Sequence, residues 1–386
     1  MASLPQLANP VPSAKPAGGR LIELDILRGF LLLWMTLTHL PTAASIVSNQ
    51  TFGFVSGAEG FIFLSAFMVG QLEHRVEEKR GRLGALRDLA KRTVRVYLYH
   101  CALLAIAFLV LAPIGVHFHR LAIENLLSYY VADPKHAVVA AVLLEYRPSL
   151  LDILPMYVIF MALTPVAREI ARRWSWEPVV YASFALWAIA QFGLRAWLYR
   201  QGDLFGLKVP ETSTGAFDLY AWQLLWIVGL ALGSITFGGN RSQPRQRIPK
   251  WLWKISLPLA IGFFILRYSP LDHWMNPEIY GWLIDKWHLG PTRLINFSAL
   301  AILVVRFGVR IAHLPFVAPL YLLGQASIEV FSIHVLCCLA GHSLSEDADP
   351  TQPWWQQAIL LVVTISALFL TALAHRTWVR KRRAAP

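Results

Sequence analysis

Four side chains near the start of the chain have the types and spacing to handle protons in an apolar setting. Asp25, Arg28 and His39 lie in LDILRGFLLLWMTLTHL, and Glu59 lies in TFGFVSGAEGFIFLSAFMVG. Histidine titrates near neutrality and is the side chain best matched to general acid–base work. A carboxylate beside an imidazole orients the ring and raises its basicity, as in a catalytic triad. A guanidinium binds phosphates and carboxylates through a forked set of donors. Within a membrane such groups are expensive, and they mark function by default. Each also has a plainer reading. Arg28 snorkels to headgroups, Asp25 caps a helix start, His39 bonds a neighbouring helix, and Glu59 pairs elsewhere.

The spacing favours a common purpose. Asp25, Arg28, Leu32, Met35 and His39 are separated by 3, 4, 3 and 4 residues, which places them on one stripe of a helix. Arg28 to His39 is 11 residues, or about 16 Å along the axis. Asp25 and Arg28 are expected at the cytoplasmic edge and His39 in the outer half of the membrane. Glu59 enters from the opposite side, about 12 Å deep in the second span. A short link near Ser48–Thr51 then makes an antiparallel hairpin, with Glu59 at the depth of His39 and beside it. Gly53, Gly57 and Gly60 permit that approach. Asp152 and Tyr157 in LLDILPMY, Arg195, Gln223, Asn296, Glu329 and His334 add polar groups to later spans. Together these predict a polar cavity in the outer half, with Asp152, Tyr157, Gln223, Glu329 and His334 as its acceptor-side lining.

The elements that must position these groups are membrane helices. The 386 residues are 56% hydrophobic and 15% charged, with a mean hydropathy of +0.48, whereas soluble domains carry about a quarter charged residues. Apolar segments near span length recur throughout. The spans are placed at 26–47, 52–72, 94–116, 149–170, 178–199, 217–238, 251–269, 292–312, 315–341 and 356–376. The fold class is therefore all-α, a polytopic bundle of about ten membrane helices. Residues 1–19 read as a disordered cytoplasmic tail, and 20–386 as one integral-membrane domain. Of the 35 Lys and Arg, 26 fall on the side of the termini and 9 on the other, so both termini are expected in the cytoplasm. The net charge of +12 then belongs to short loops facing anionic lipid, and nucleic acid is not needed as a partner. Cys101, Cys337 and Cys338 sit in apolar runs and read as core residues rather than a disulfide or metal set.

These residues resemble a known family. LDILRG…H, FGFVSGAEGFIFLSAFMVG, DILPMY and LGQASIEVFSIHV are similar to segments of the OpgC family, membrane succinyltransferases of osmoregulated periplasmic glucans. More broadly, Arg20, Asp25, Arg28, Gly29 and His39 resemble the opening of multi-spanning acyltransferases that modify carbohydrates. The resemblance implies O-acyl transfer in a bacterial inner membrane. The donor is a cytoplasmic acyl-CoA, succinyl-CoA foremost, used as a co-substrate with no permanently bound cofactor and no metal. The acceptor is a hydroxyl of an extracytoplasmic glucan or other glycan. His39, Glu59 and Asp25 are the implied catalytic residues, His39 foremost. Glu59 matches the acid of the second motif, and Asp25 and Arg28 organise the donor entrance. Ala66 departs from the pattern, where glycine is expected. Arg28, Arg75, Arg92 and Arg95 are candidates for the CoA phosphates, set against a plain topological role for the last three. Membrane lipids are partners by construction, and homo-oligomerisation is left open. A transporter or flippase of a glycan or lipid-linked sugar is the rival reading, although no inverted halves are visible. His342 and Asp347 fit an H-x4-D acyltransferase pattern but fall in an outer loop and are set aside.

Overall fold

The computed structural model describes residues 22–202, 209–237, 249–270, 275–344 and 352–384. The tail expected at 1–19, Arg20 and Asp347 lie outside them. All regular structure among the described residues is helical.

Helix α1 (Ile22–His39) carries the stripe, and Asp25, Leu32 and Met35 on it are buried. It stops at Leu40–Pro41, because proline ends a helical pattern at the preceding residue. The first span is therefore shorter than the expected 26–47. A short helix α2 (Ala43–Ser48) and a turn follow before α3 (Gly57–Ile106) begins. The link is thus far longer than the few residues expected. Ser56 starts α3 by a capping exchange: its backbone N–H and its hydroxyl both donate to Glu59 Oε2, at 3.0 and 2.6 Å. One kink divides α3, at Gly81 with φ +69°, a conformation that glycine adopts at little cost. Before the kink the helix runs antiparallel to α1, with Gly57 against Met35 and Gly60 against Leu31.

Past Ile106 the helix continues through a π turn (Ala107–Leu111) into α4 (Ala112–His117). Residues 117–148 lie between the third and fourth expected spans. They hold α5 (Leu121–Leu126), α6 (Ser128–Ala132) and α7 (Pro134–Val142), which retrace α3. Tyr130 donates to the Phe108 carbonyl at 3.1 Å and Tyr97 to the Val142 carbonyl at 3.0 Å. Ala122, Ile123, Leu127, Ala137, Ala140 and Ala141 of this segment are buried, with Ile123 against Gly115 of α4. These helices are individually too short to register as spans.

The remaining bundle comprises α8 (Ile153–Trp174), α9 (Trp176–Ala190), α10 (Leu194–Gln201), α11 (Leu219–Phe237), α12 (Lys250–Arg267), α13 (Pro277–Ile284), α14 (Pro291–Ala312), α15 (Ala318–Gln325), α16 (Ser327–Leu344) and α17 (Trp354–Ala384). Two expected spans are broken. Helices α9 and α10 meet at an 80° bend, with Gly193 at φ +82°. Ala326 separates α15 from α16 at φ −106°, ψ 39°. By length and composition six helices suffice to cross a membrane, or seven with the bent pair. That tally differs from ten for identifiable reasons. Three charged residues each keep α1 (Glu23, Asp25, Arg28) and α12 (Lys250, Lys254, Arg267) out of the set. The two legs of α3 register as one helix, Gly57–His117.

Small residues let the helices approach closely, as is usual in membrane bundles. A Cβ on Gly324 would overlap the Asp25 carbonyl, and one on Gly29 would overlap the Leu320 carbonyl, so α15 lies flush on α1. At the end of the bundle where α1 begins, Arg168 of α8 bonds Glu77 at 2.5 Å and Glu73 at 3.5 Å. Arg82 and Glu169 pair there too.

Candidate functional site

His39 closes the last turn of α1, and its partner is an imidazole from α16. His39 Nδ1 and His334 Nε2 lie 3.3 Å apart, and the rings stack with centroids 5.5 Å apart. One proton serves that contact. With it on His39 Nδ1, His334 Nε2 accepts, and His39 Nε2 is left as a lone-pair acceptor. His342, expected in an outer loop, lies instead within α16 about two turns past His334 and places Nε2 3.2 Å from the His39 carbonyl. The pairing was available to sequence reasoning only as two separate polar positions, since the residues are 295 apart.

The two imidazoles face a cavity of about 180 Å³. Its wall includes Met35, Thr38, Ser56, Gly57, Asp152, Lys286, Trp287 and Phe331. Most of this wall is apolar with a few placed polar groups, the usual make-up of a small-molecule site. Asp152 reaches the wall as the residue preceding α8. Its carboxylate accepts the Ala216 N–H at 3.2 Å.

Lys286 and Trp287 escaped sequence reasoning because they sit in a polar loop between spans. The segment 285–290 is a tightly held strap. The Trp287 carbonyl accepts from the Asp218 N–H and from Trp222 Nε1, both at 3.0 Å. The His288 carbonyl accepts from Gln191 Nε2 at 2.7 Å, and the Leu289 carbonyl from Trp187 Nε1 at 3.0 Å. Within the strap, Asp285 Oδ2 and His288 Nδ1 lie 2.5 Å apart, and Asp285 Oδ1 accepts the Trp287 N–H at 2.8 Å. That bond to Asp285 raises the His288 pKa, although burial opposes it. Burial raises the Asp285 carboxyl, but the bonds from His288 and Trp287 outweigh it and hold the group below its ordinary value. Burial lowers the Lys286 ammonium, with Glu59 and Asp152 pulling the other way.

Glu59 was expected beside His39. Its carboxylate is instead committed to Arg293 of α14: Oε1 accepts from Nε at 2.9 Å and from Nη2, with both side chains 0% exposed. The physical reason is charge. A buried carboxylate is best neutralised by a bidentate guanidinium, and a neutral imidazole does not supply that. Arg293 is a residue that sequence reasoning missed. Asn296, one turn on, accepts the Phe54 N–H at 2.8 Å.

The other expected residues are scattered. Asp25 is fully buried but precedes His39 by 14 positions, about 21 Å of helix, and is not in the cavity wall. Arg28 donates to Ser327 Oγ just past the α15–α16 break. Tyr157 packs edge-on to Trp226 at 5.0 Å and has Ser65, Arg28 and Arg92 as polar neighbours. It therefore lies with the Arg28 group rather than on the cavity wall. Gln223 bonds Ser183 Oγ at 2.6 Å and the Ser183 carbonyl at 2.8 Å, joining α11 to α9 outside the cavity. Glu329 faces His375 at 3.3 Å and Tyr99 at 3.5 Å, again outside it. Arg92 pairs with Asp88 at 2.9 Å, Arg95 is exposed and Arg75 is half-buried. Among the described residues no cluster suited to a metal ion is found.

A family model described as "OpgC protein" matches residues 20–381. That is nearly the whole chain, and the chain belongs to the OpgC family, as its motifs led us to expect. No curated protein and no solved structure matches it significantly.

Proposed function

We propose that this OpgC-family chain is a bacterial inner-membrane O-acyltransferase that moves a succinyl group from cytoplasmic succinyl-CoA to hydroxyls of a periplasmic glucan. The observation that carries the reading is the His39–His334 pair at a cavity shared with Asp152 and Lys286. A sugar hydroxyl has a high pKa, so its attack on a thioester needs a base. His39 Nε2 takes the hydroxyl proton as the oxygen bonds to the acyl carbon. The carbon–sulfur bond breaks, and the proton passes to the departing thiolate, giving the ester and free CoA. His334 holds His39 in the tautomer that exposes Nε2.

The rest of the chain supplies a route. Ten crossings, counting α1, the two legs of α3, α8, α9, α11, α12, α14, α15 with α16, and α17, return both termini to the cytoplasm. The basic excess of the loops fits that orientation. Arg28 marks the donor entrance at the α15–α16 break, and Tyr157 and Arg92 stand near it. Arg75, Arg92 and Arg95 would meet the CoA phosphates. The arm from Arg28 to His39, about 16 Å of helix, is of the order of an extended pantetheine. Asp25 shapes the entrance by packing, and Glu59 fixes the cavity wall through Arg293.

Mass spectrometry of periplasmic glucans from cells expressing the wild type or His39→Ala tests this. Acylation should vanish in the variant, by the 10²- to 10⁴-fold typical of losing an acid–base group (an order of magnitude range). Equal acylation in both would remove His39 from the chemistry. Purified protein given labelled succinyl-CoA and glucan should release CoA. A transporter or flippase would release none.

A further inference from the structure

Lys286 is a charge without a partner in a built position. Its ammonium lies 4.9 Å from the Trp287 ring centroid and 5.9 Å from that of Phe217. It makes no ion pair and no side-chain hydrogen bond among the described residues. Asp152 lines the same cavity without closing on it. The backbone that carries Lys286 is clamped by four donors, from Asp218, Trp222, Gln191 and Trp187, on the three carbonyls that follow it. A flexible cation on the surface needs no such holding. A cation fixed over two aromatic faces, in a wall that is otherwise mostly apolar, is a preorganised seat for an anion. It is also an electrostatic neighbour of His39. The seat therefore belongs to whatever the imidazole pair acts on.

We propose that Lys286 is the specificity-determining cation of the cavity. It receives the terminal carboxylate of a dicarboxylic acyl group while the thioester end of that group lies at the His39–His334 pair. This rests on the acyltransferase reading and goes further, by assigning the choice of acyl group to one side chain. A single ammonium suits a single negative charge. Asp152 across the cavity disfavours a doubly charged phosphate. An acyl chain ending in a methyl group would leave the ammonium desolvated and unpaired. The site thus selects against neutral acyl groups as well as for charged ones.

The test compares succinyl-CoA with butyryl-CoA, which has the same number of acyl carbons and no carboxylate. Purified wild type, Lys286→Met, Lys286→Gln and Lys286→Arg are assayed in lipid nanodiscs with a glucan oligosaccharide acceptor, following CoA release and ester formation. The reading is the ratio of kcat/KM for the two donors. The wild type should favour succinyl-CoA. The Met and Gln variants should lower the ratio about 10- to 100-fold, the size of losing a hydrogen bond to a charged group, while Arg stays within a few-fold of the wild type. A defect in folding lowers both donors and leaves the ratio where it was. That unmoved ratio, in the Gln variant or in both, overturns the assignment, as does a wild type indifferent to the carboxylate. Wild-type protein that transfers neither acyl group defeats the parent reading instead.

Discussion

Glu59→Ala is the perturbation with the largest expected cost. In the native protein Glu59 Oε1 accepts from Arg293 Nε and Nη2, and Oε2 accepts the Ser56 N–H and hydroxyl. Both charged side chains are 0% exposed. Truncation leaves a buried guanidinium without its counter-charge, which costs about 3–5 kcal/mol. It also removes the capping exchange at the start of α3, worth a further ~0.5–2 kcal/mol. A total of roughly 3.5–7 kcal/mol follows from these two terms. Arg293→Met leaves a buried carboxylate that still has its Ser56 donors, so it should cost less. The double variant replaces the pair by apolar groups, which is often close to neutral. Its cost should fall below the sum of the singles by about 2–3 kcal/mol. Unfolding in detergent, followed by the fluorescence of the 15 tryptophans, measures all three. Additivity within about 0.5 kcal/mol would refute the reasoning, because it would mean that the two charges do not sense each other. The cycle also bears on catalysis. Arg293→Met should depress acyl transfer together with Glu59→Ala, since both act by moving the wall formed by Ser56 and Gly57. Normal activity in Arg293→Met with loss in Glu59→Ala would restore a direct role for the carboxylate.

Three further outcomes are expected. His334→Phe should reduce kcat about tenfold or more and shift the acid limb of the pH–rate profile, because His39 loses the acceptor that fixes its tautomer; an unchanged profile would show that the pair has no such role. Gly324→Ala should destabilise by about 1–3 kcal/mol through overlap with the Asp25 carbonyl, whereas Gly262→Ala, with nothing within 4 Å of a new Cβ, should be neutral or stabilising by up to ~1 kcal/mol; thermal melting compares them. The strap 285–290 should loosen as pH rises, read as faster amide exchange. The raised His288 pKa gives stability that is full below the ordinary histidine value and is lost as pH climbs through the folded one. His288→Asn should flatten that profile.

Helical periodicity and hydropathy made much of the architecture legible before any coordinates. Each expected span carries a helix, and of the spaced set on α1 Asp25, Leu32 and Met35 are buried while Arg28 and His39 are half-buried. Those signals are local. Breaks were harder to see. Pro41 announces the end of α1 plainly enough, but the α15–α16 break at Ala326 has no proline or glycine at the joint and arises where Arg28 reaches Ser327. In the site, His39, Asp152 and His334 were recognisable as polar groups in apolar surroundings. Their partners were not. Glu59 and Arg293 are 234 residues apart, and no pattern within either helix prefers Arg293 to His39. Lys286 looked like one basic residue among many, and only the hydrogen bonds that clamp its loop distinguish it.

Between Gly57 and Arg80, α3 is uninterrupted, 24 residues or about 36 Å. Its opposite ends are fastened to different neighbours: Glu59 to Arg293 of α14, and Glu73 and Glu77 to Arg168 of α8. Such a rod works as a lever. The anchors are 14 to 18 residues apart, about 21–27 Å, so a rotation of about 5° about one carries the other by about 2 Å. Tilting of α8 is thereby geared to the wall of the cavity at Ser56 and Gly57, without any element between them having to bend.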